Sequence, residues 1–408
     1  MTVVDINEAL HSKSNNYIVK NYCGLSLIKY NKRMLTDDNI PTLGLFRSII
    51  TDGKNILSFA PPKSRNYNHF IVQNEFDKCN ITEFIDGTMI NVFYNTSNLN
   101  KNGKSEPKWE IATRSNIGAN CKFNLNANKS FREMFYDACV PMNEKFSDFF
   151  KNLNKDYCYS FVLQHPENRI VHKIDEACLY LTNVYKFENN NIHIINYNDN
   201  PDAYLISEHI KRPRNIEELY PEISNWEYIN LLCSGEQTSF ELQGFIIVNN
   251  NNERTKIRNL EYEKIKRIRG NSPKLQYQFL ELYKKNKVSE YLNYFPEHRE
   301  QFMTFKRNFY KWSEKFYNFY IDCFIEKNMS LSNCQYEFKP LLYFLHKHYI
   351  EELRPKNKKV NFTFLKEYIK HIPTEKIMFS MNYKYRELKN ENKLNNHIQE
   401  QINKQSTV

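Results

Sequence analysis

Glycine is scarce in this chain: nine residues in 408, about 2% where roughly 7% is usual. They stand at positions 24, 44, 53, 87, 103, 118, 235, 244 and 270, and no two are two, three or five apart. Neither G-x-G-x-x-G nor G-x-x-x-x-G-K can be built from them, which excludes dinucleotide-binding Rossmann folds, protein kinases and P-loop NTPases. Paired cysteines are lacking as well. The nine cysteines are scattered, the nearest two being Cys323 and Cys334, so there is no C-x-x-C of a zinc ribbon or thioredoxin. An odd number of unpatterned thiols fits a reducing compartment. No apolar run approaches the ~18 residues of a membrane span, and the first ten residues carry Asp5 and Glu8 in place of an apolar signal segment. The expectation is an intracellular, cytoplasmic protein with no membrane partner. H-E-x-x-H and EF-hand spacings are also missing, so no metal ligands are assigned.

Aromatic residues, by contrast, are abundant, with 28 Tyr and 29 Phe. Asn, Lys and Ile are frequent too, the signature of AT-rich codons, so composition alone does not argue for base-stacking surfaces. Charge is more informative. The formal net charge is +10, divided into about −3 over residues 1–250 and about +13 over residues 251–408. A basic C-terminal part on a nearly neutral N-terminal part predicts a polyanionic partner, RNA ahead of a membrane surface. The densest stretch is Arg254–Arg269, with seven Lys/Arg against Glu261 and Glu263.

Periodicity changes along the chain. Apolar and polar residues alternate in Leu25–Tyr30, Ile81–Tyr94, Trp109–Thr113, Tyr157–Leu163 and Phe240–Val248, which predicts strands. Asn-rich turns separate them, and helices are expected near Ser130–Ala138 and Asn215–Leu232. Beyond about residue 270 the period is helical: Phe302, Phe305, Phe309, Trp312, Phe316 and Phe319 recur at spacings of three and four, a stripe expected to face a core. His346 and His348, at i and i+2, do not share a helical face and are expected to be structural. The predicted organisation is an α+β domain over 1–265, a basic all-helical domain over 266–387, and a polar, disordered tail over 388–408.

Several short segments follow one another in a recognisable order: Phe46-Arg47-Ser48-Ile49-Ile50, Pro61-Pro62-Lys63-Ser64, Glu83-Phe84-Ile85-Asp86-Gly87-Thr88 and Trp109-Glu110-Ile111-Ala112-Thr113-Arg114-Ser115. After them come Phe161-Val162-Leu163-Gln164-His165-Pro166-Glu167-Asn168-Arg169-Ile170-Val171, Gln243-Gly244-Phe245-Ile246-Ile247 and Lys256-Ile257-Arg258. Over about residues 20–260 this resembles the bacteriophage tRNA-repair RNA ligases, the RNA ligase 1-like group of covalent nucleotidyltransferases. The resemblance implies an antiparallel-sheet nucleotidyltransferase fold. It also implies a two-step chemistry, in which a lysine takes AMP from ATP and passes it to an RNA 5′-phosphate for sealing. Such chemistry needs an amine nucleophile of depressed pKa, acids that hold a metal, and cations on the phosphates.

The chain departs from that pattern at the catalytic positions. The nucleophile's place, two residues before Asp-Gly, is Phe84, which has no amine. The two family glutamates fall on Val162 and Gln243, and the closing Lys-x-Lys pair is Lys256 and Arg258. What remains is a set suited to gripping phosphate, ribose or RNA: Arg47, Lys63, Asp86, Thr88, Arg114, Asn168, Arg169, Lys256 and Arg258. Lys256 and Arg258 alternate with Ile257 and so share a strand face. The expected function is RNA binding, at a 5′ end, a cap or a bound nucleotide, without lysine adenylylation. Lys63, Lys256 and Arg258 would contact phosphates, Arg47 and Arg169 would support them, and Asp86 would orient a ribose or cation. Lys264, Lys266, Arg267 and Arg269 would extend the track along RNA. Two alternatives stay open. One is an active ligase with a relocated lysine such as Lys63, using ATP or GTP with Mg²⁺ and with Glu83, Gln164 and Glu241 replacing the lost metal ligands. The other is a structural scaffold whose site is empty.

Overall fold

The computed structural model describes residues 2–97, 106–123, 127–139, 146–197, 199–204, 206, 208–236 and 238–391. The chain divides into two compact units, Met1–Arg267 and Ile268–Val408. The first is built on antiparallel sheets and the second is helical, the α+β order expected from the change of period.

Three sheets make up the first unit. The largest has the order Thr2–Val3, Asn191–Ile195, Cys178–Glu188, Tyr157–Gln164, Thr88–Asn95, Lys108–Thr113, Asn116–Ile117, with Ile210–Lys211 parallel beside Cys178–Glu188. A four-stranded sheet joins Tyr17–Tyr22, Leu25–Tyr30, Ile49–Thr51 and Ile56–Phe59, and a three-stranded one joins Arg254–Arg258, Gly244–Asn249 and Cys79–Glu83. Because side chains alternate across a strand, the large sheet feeds two cores. Ile90, Val92, Phe161 and Leu163 pack under the helix Phe131–Cys139, while Phe93, Ala112, Cys158 and Tyr185 meet Leu27, Ile49 and Phe59 of the four-stranded sheet. The three-stranded sheet has a separate core, where Phe245 and Ile247 pack on Phe70, Ile216 and Ile229.

Local chemistry explains the element ends. Ser130 and Glu133 form a reciprocal cap on Phe131–Cys139, with Glu133 Oε2 accepting from the Ser130 amide at 2.7 Å. Asn189 and Asn190, both at positive φ, turn the chain between Cys178–Glu188 and Asn191–Ile195, since asparagine tolerates that conformation. The helical stretch expected over Asn215–Leu232 is broken in two, Ile216–Leu219 and Trp226–Cys233. Pro221 explains the break: proline excludes the residue before it from the helical region and supplies no amide donor. The alternation over Ile81–Tyr94 is likewise two strands. Cys79–Glu83 pairs with Gly244–Asn249, while Thr88–Asn95 pairs with Tyr157–Gln164 and Lys108–Thr113. Phe84–Gly87 is therefore a crossover between two sheets, although Asp-Gly is a common hairpin-turn pair.

In the second unit the longest helix is Arg299–Tyr320. Its stripe Phe302, Phe309, Trp312 and Phe316 is buried, with Phe305 and Phe319 half-buried, so the aromatic period is core packing as expected. His346 stacks on Phe324 at 3.9 Å and His348 on Phe364 at 5.9 Å, and burial lowers the pKa of His346. Of the expected tail, 388–391 are helical and residues 392–408 lie outside the described residues. Among the described residues no helix is long and apolar enough to cross a membrane.

Candidate phosphate-binding site

The strand Arg254–Arg258 reads Arg-Thr-Lys-Ile-Arg, and the period of two sorts it cleanly. Thr255 and Ile257 point one way: Thr255 is fully buried, and Ile257 packs against the core of the three-stranded sheet. Arg254, Lys256 and Arg258 therefore share the opposite face. The Pro61-Pro62-Lys63-Ser64 segment runs beside this strand, tied down where the Arg65 amide donates to the Arg254 carbonyl at 2.8 Å and Thr255 Oγ1 to the Arg65 carbonyl at 3.0 Å. Its other side is held by the Lys63 amide, which donates to the Gly44 carbonyl at 3.0 Å.

This segment gathers cations around backbone carbonyls. Arg47 Nη1 donates to the Pro61 carbonyl at 3.1 Å, Arg254 Nη1 to that of Pro62 at 3.4 Å, and Lys63 Nζ to that of Ser64 at 2.9 Å. The side chains of Arg258 and Glu263 form an ion pair at 2.6 Å. The other four cations have no carboxylate partner among the described residues. The electrostatic consequence is plain. Burial and mutual repulsion depress Lys256 to about 7, with Arg258, Arg254, Arg47 and Lys63 all contributing to the repulsion, and Arg254 to about 10. Arg47 and Lys63 are lowered by burial in the same way, although Asp37 partly offsets the effect at Lys63.

Phe84 lies against the Lys256 and Arg258 end of this arrangement. Its ring centroid is 5.6 Å from Lys256 Nζ and 5.3 Å from the Arg258 guanidinium carbon, within cation–π range. The negative face of an aromatic ring can receive a cation but cannot attack phosphorus. Two glycines permit the close packing around it. At Gly244, with φ +131°, a Cβ would stand 2.1 Å from the Ile257 carbonyl oxygen. At Gly87 one would stand 2.5 Å from that of Leu163 and 2.6 Å from Val162 Cγ1. Any larger residue would push the Phe84 crossover off both sheets.

The structure brings Arg47, Lys63, Lys256 and Arg258 together, as the sequence order suggested, and adds Arg254. That residue was legible as part of a basic run but not as a site member; the strand period 254, 256, 258 was the available signal. Asp86 is a different matter. It is 4% exposed and both oxygens are spent inside the protein: Oδ2 accepts from the Val171 and His172 amides at 3.0 and 3.1 Å, and Oδ1 from the Tyr262 hydroxyl at 2.7 Å. The expected ribose or cation role gives way to a structural one, since a buried carboxylate holding two amides and a hydroxyl has little left to offer a ligand. Thr88 Oγ1 accepts from Asn168 at 2.8 Å, and Arg169 Nε donates to the Val171 carbonyl at 3.0 Å, so these residues tie the 165–171 loop. Arg114 stacks over the Tyr30 ring at 4.9 Å and donates to the Arg47 carbonyl at 3.3 Å, next to the cluster.

On the helix Leu260–Arg269, capped where Asn259 Oδ1 accepts the Glu261 amide, the four expected RNA contacts split. Lys264 and Arg267 are exposed, whereas Lys266 and Arg269 are half-buried, Lys266 over the Tyr262 ring at 5.4 Å.

Buried polar atoms without a hydrogen-bond partner point to the same region. Six side-chain atoms are so placed among the described residues: Ser48 Oγ, Ser64 Oγ, Tyr185 Oη, Gln243 Oε1, Arg258 Nε and Asn116 Oδ1. The first five belong to the cluster or its neighbours. Ser48 and Ser64 follow Arg47 and Lys63, Tyr185 interacts electrostatically with Arg254 and Arg47, and Gln243 precedes the Gly244 that faces Arg258. Leaving a buried polar atom unmade costs about 1–3 kcal/mol, so their concentration here weighs on the stability of this region.

Divalent metal fits this site poorly. Val162 offers no donor and Gln243 no charge. Both Glu83 oxygens are held by Arg214, at 3.0–3.3 Å, and Gln164 Nε2 is bonded to the Asp86 carbonyl at 2.7 Å. Glu241 is exposed, so these three do not converge as replacement ligands. Among the described residues no three His, Cys, Asp or Glu side chains gather to hold an ion.

Comparison with known proteins gives remote likenesses only. No family model matches the chain, and no curated protein sequence matches it. Among solved structures, an archaeal ATP-dependent RNA ligase is 15% identical with a TM-score of 0.39, covering 71% of this chain and 67% of that one. A Naegleria gruberi RNA ligase variant with ATP and Mn is 13% identical with a TM-score of 0.34, covering 50% of this chain and 58% of that one. A protein assigned as an ATP-dependent DNA ligase of Aquifex aeolicus is 13% identical at 0.38, covering 92% and 76%. Overlaps this weak decide neither topology nor activity, and the site is read from its own residues.

Proposed function

We propose that the first unit is an RNA ligase-like nucleotidyltransferase module that binds RNA or nucleotide through phosphate and forms no lysyl–nucleotide at residue 84. The observation that carries this reading is the gathering of Arg47, Lys63, Arg254, Lys256 and Arg258, the last two over the Phe84 ring. Cations held half-buried, with Glu263 their one ion-paired carboxylate among the described residues, are costly unless an anion completes them. The order of the matched segments supplies the nucleic-acid end of the argument, and the excess of about thirteen positive charges beyond residue 250 supports RNA as the polyanion. A 5′ end, a cap or a bound nucleotide would place its phosphates on this face, with Lys264 and Arg267 as exposed contacts further along.

One observation favours a second reading, in which chemistry survives on another lysine. Lys256 has a pKa of about 7, so a large share of its amine is unprotonated at neutral pH, beside the ring that replaces the nucleophile. Attack on an α-phosphorus would form a P–N bond as pyrophosphate leaves. Lys63, the candidate from sequence, is lowered as well and lies in the same cluster. One experiment separates the readings. The purified chain is incubated with each radiolabelled nucleoside triphosphate and Mg²⁺ or Mn²⁺, then denatured, and any label is mapped by peptide mass. The expected result is no adduct beside an active control ligase, together with retention of labelled RNA on the native protein. A nucleoside monophosphate on Lys256 or Lys63 would establish a displaced nucleophile, and failure to retain any RNA or nucleotide would leave a scaffold.

A further inference from the structure

We infer that the Phe84 site takes a polyphosphate chain, carried by a nucleoside triphosphate or by the triphosphorylated 5′ end of an RNA, and neutralises it with protein cations alone, without a bridging divalent metal. This rests on the reading of the cluster as a phosphate site and goes beyond it in ligand class and in ionic requirement.

The argument for chain length is one of charge. Arg47, Lys63, Arg254, Lys256 and Arg258 gather here, with Glu263 paired to Arg258 and the exposed Asp37 acting on Lys63. A phosphomonoester brings at most about two negative charges and would leave part of the cluster uncompensated. A chain of phosphates adds a charge at each linking phosphorus and spreads acceptor oxygens over several ångströms. The cations are spread in a matching way. Three stand on one strand face at alternate residues, with Arg47 and Lys63 anchored on the carbonyls of Pro61 and Ser64 opposite them.

The argument against a bridging metal is one of donors. A hard divalent cation needs carboxylate, carbonyl or water oxygens, and it is bound beside phosphates by one or two carboxylates. Here the carboxylates near Phe84 and Arg258 are committed: Asp86 to two amides and Tyr262, Glu83 to Arg214, Glu263 to Arg258. Five positive side chains would also repel the ion. Magnesium that complexes the polyphosphate in solution lowers its charge and competes with the protein for it.

Calorimetric titration of the full chain tests this, with inorganic phosphate, pyrophosphate, tripolyphosphate, ATP, and one RNA oligonucleotide bearing a 5′-hydroxyl, monophosphate or triphosphate, each in EDTA and in Mg²⁺. The expected affinity rises with phosphate number and is equal or higher in EDTA. Lys256→Ala is expected to weaken tripolyphosphate at least about tenfold, while Lys256→Arg, which keeps the charge, retains binding. Should Lys256→Ala fail to fold, Lys256→Arg and the EDTA arm still decide. Binding only in the presence of Mg²⁺, or affinity independent of phosphate number, overturns the inference. RNA retained equally well with a 5′-hydroxyl overturns it as well, yet leaves RNA binding standing. Tripolyphosphate and ATP bound in EDTA with no RNA bound upholds it, assigns the nucleotide as the source and removes RNA from the proposed function.

Discussion

Two places in the first unit treat buried charge in opposite ways. At Asp86 a single carboxylate meets three donors, two amides and a tyrosine hydroxyl, and is closed to anything else. Along Arg254, Lys256 and Arg258 positive charge is gathered with one acid to answer it, and polar atoms nearby are left unmade. Both places belong to the short segments singled out in the sequence, where they look equally functional. The difference teaches that a charged motif residue can be retained for the fold or for a ligand, and that its hydrogen bonds tell which. A satisfied group stabilises the free protein. An unsatisfied one weakens it and is maintained for what binds.

The contrast predicts mutational effects of opposite sign. The largest is at Asp86: replacing it by Ala orphans the Val171 and His172 amides and the Tyr262 hydroxyl, and is expected to cost about 3 kcal/mol or more in denaturant unfolding. A loss below about 1 kcal/mol would show that the node is dispensable and restore a ligand role for Asp86. Next is Lys256→Met, which removes a repelled charge at similar volume. Tripolyphosphate affinity should fall at least about tenfold while thermal stability rises, by ~2–4 °C for a gain of about 1 kcal/mol. If both fell together, Lys256 would belong with Asp86 as a fold residue.

Acidity sharpens the same comparison. The folded pKa of Lys256, about 7, lies below the usual lysine value of ~10.4, so between these limits the unfolded chain holds more protons than the folded one. Stability of the ligand-free protein should therefore rise with pH across that window, and the slope should shrink in Lys256→Met. The groups acting on Lys256 are Arg258, Arg254, Arg47 and Lys63, all of one sign, with the Phe84 ring as its nearest aromatic contact. Affinity for polyphosphate should move the other way, weakening as pH rises through about 7 and the ammonium is lost. A flat melting profile would show that Lys256 titrates at an ordinary value.

The smallest effect concerns RNA. Lys256→Ala with Arg258→Ala should lower the slope of log affinity against log salt by up to about two, one for each phosphate no longer neutralised. Lys264→Ala with Arg267→Ala should lower it by less, these side chains being exposed. Equal slopes in all variants would remove both pairs from the RNA-binding face.

Much of the architecture could be read from the chain itself, because period carries it. Alternation in Leu25–Tyr30 and Tyr157–Leu163 became strands over nearly those residues, and the aromatic stripe of the Arg299–Tyr320 helix became core. The order of short segments drew attention to Phe84, Lys63, Lys256 and Arg258 across nearly two hundred residues. Proline also acts locally, yet the break at Pro221 is masked by the apolar residues that continue on both sides of it. Only the tertiary structure decided which sheet each half of Ile81–Tyr94 joins, that Asp-Gly is a crossover, and that Arg254 completes the cluster. Only it showed that Asp86 and Glu83 are committed elsewhere. The physical reason is range. Period and turn chemistry act over a few residues and are written in the order of amino acids. Hydrogen-bond satisfaction and charge compensation depend on partners brought from distant segments, such as Tyr262 to Asp86 or Pro61 to Arg47, and exist only once the chain has folded.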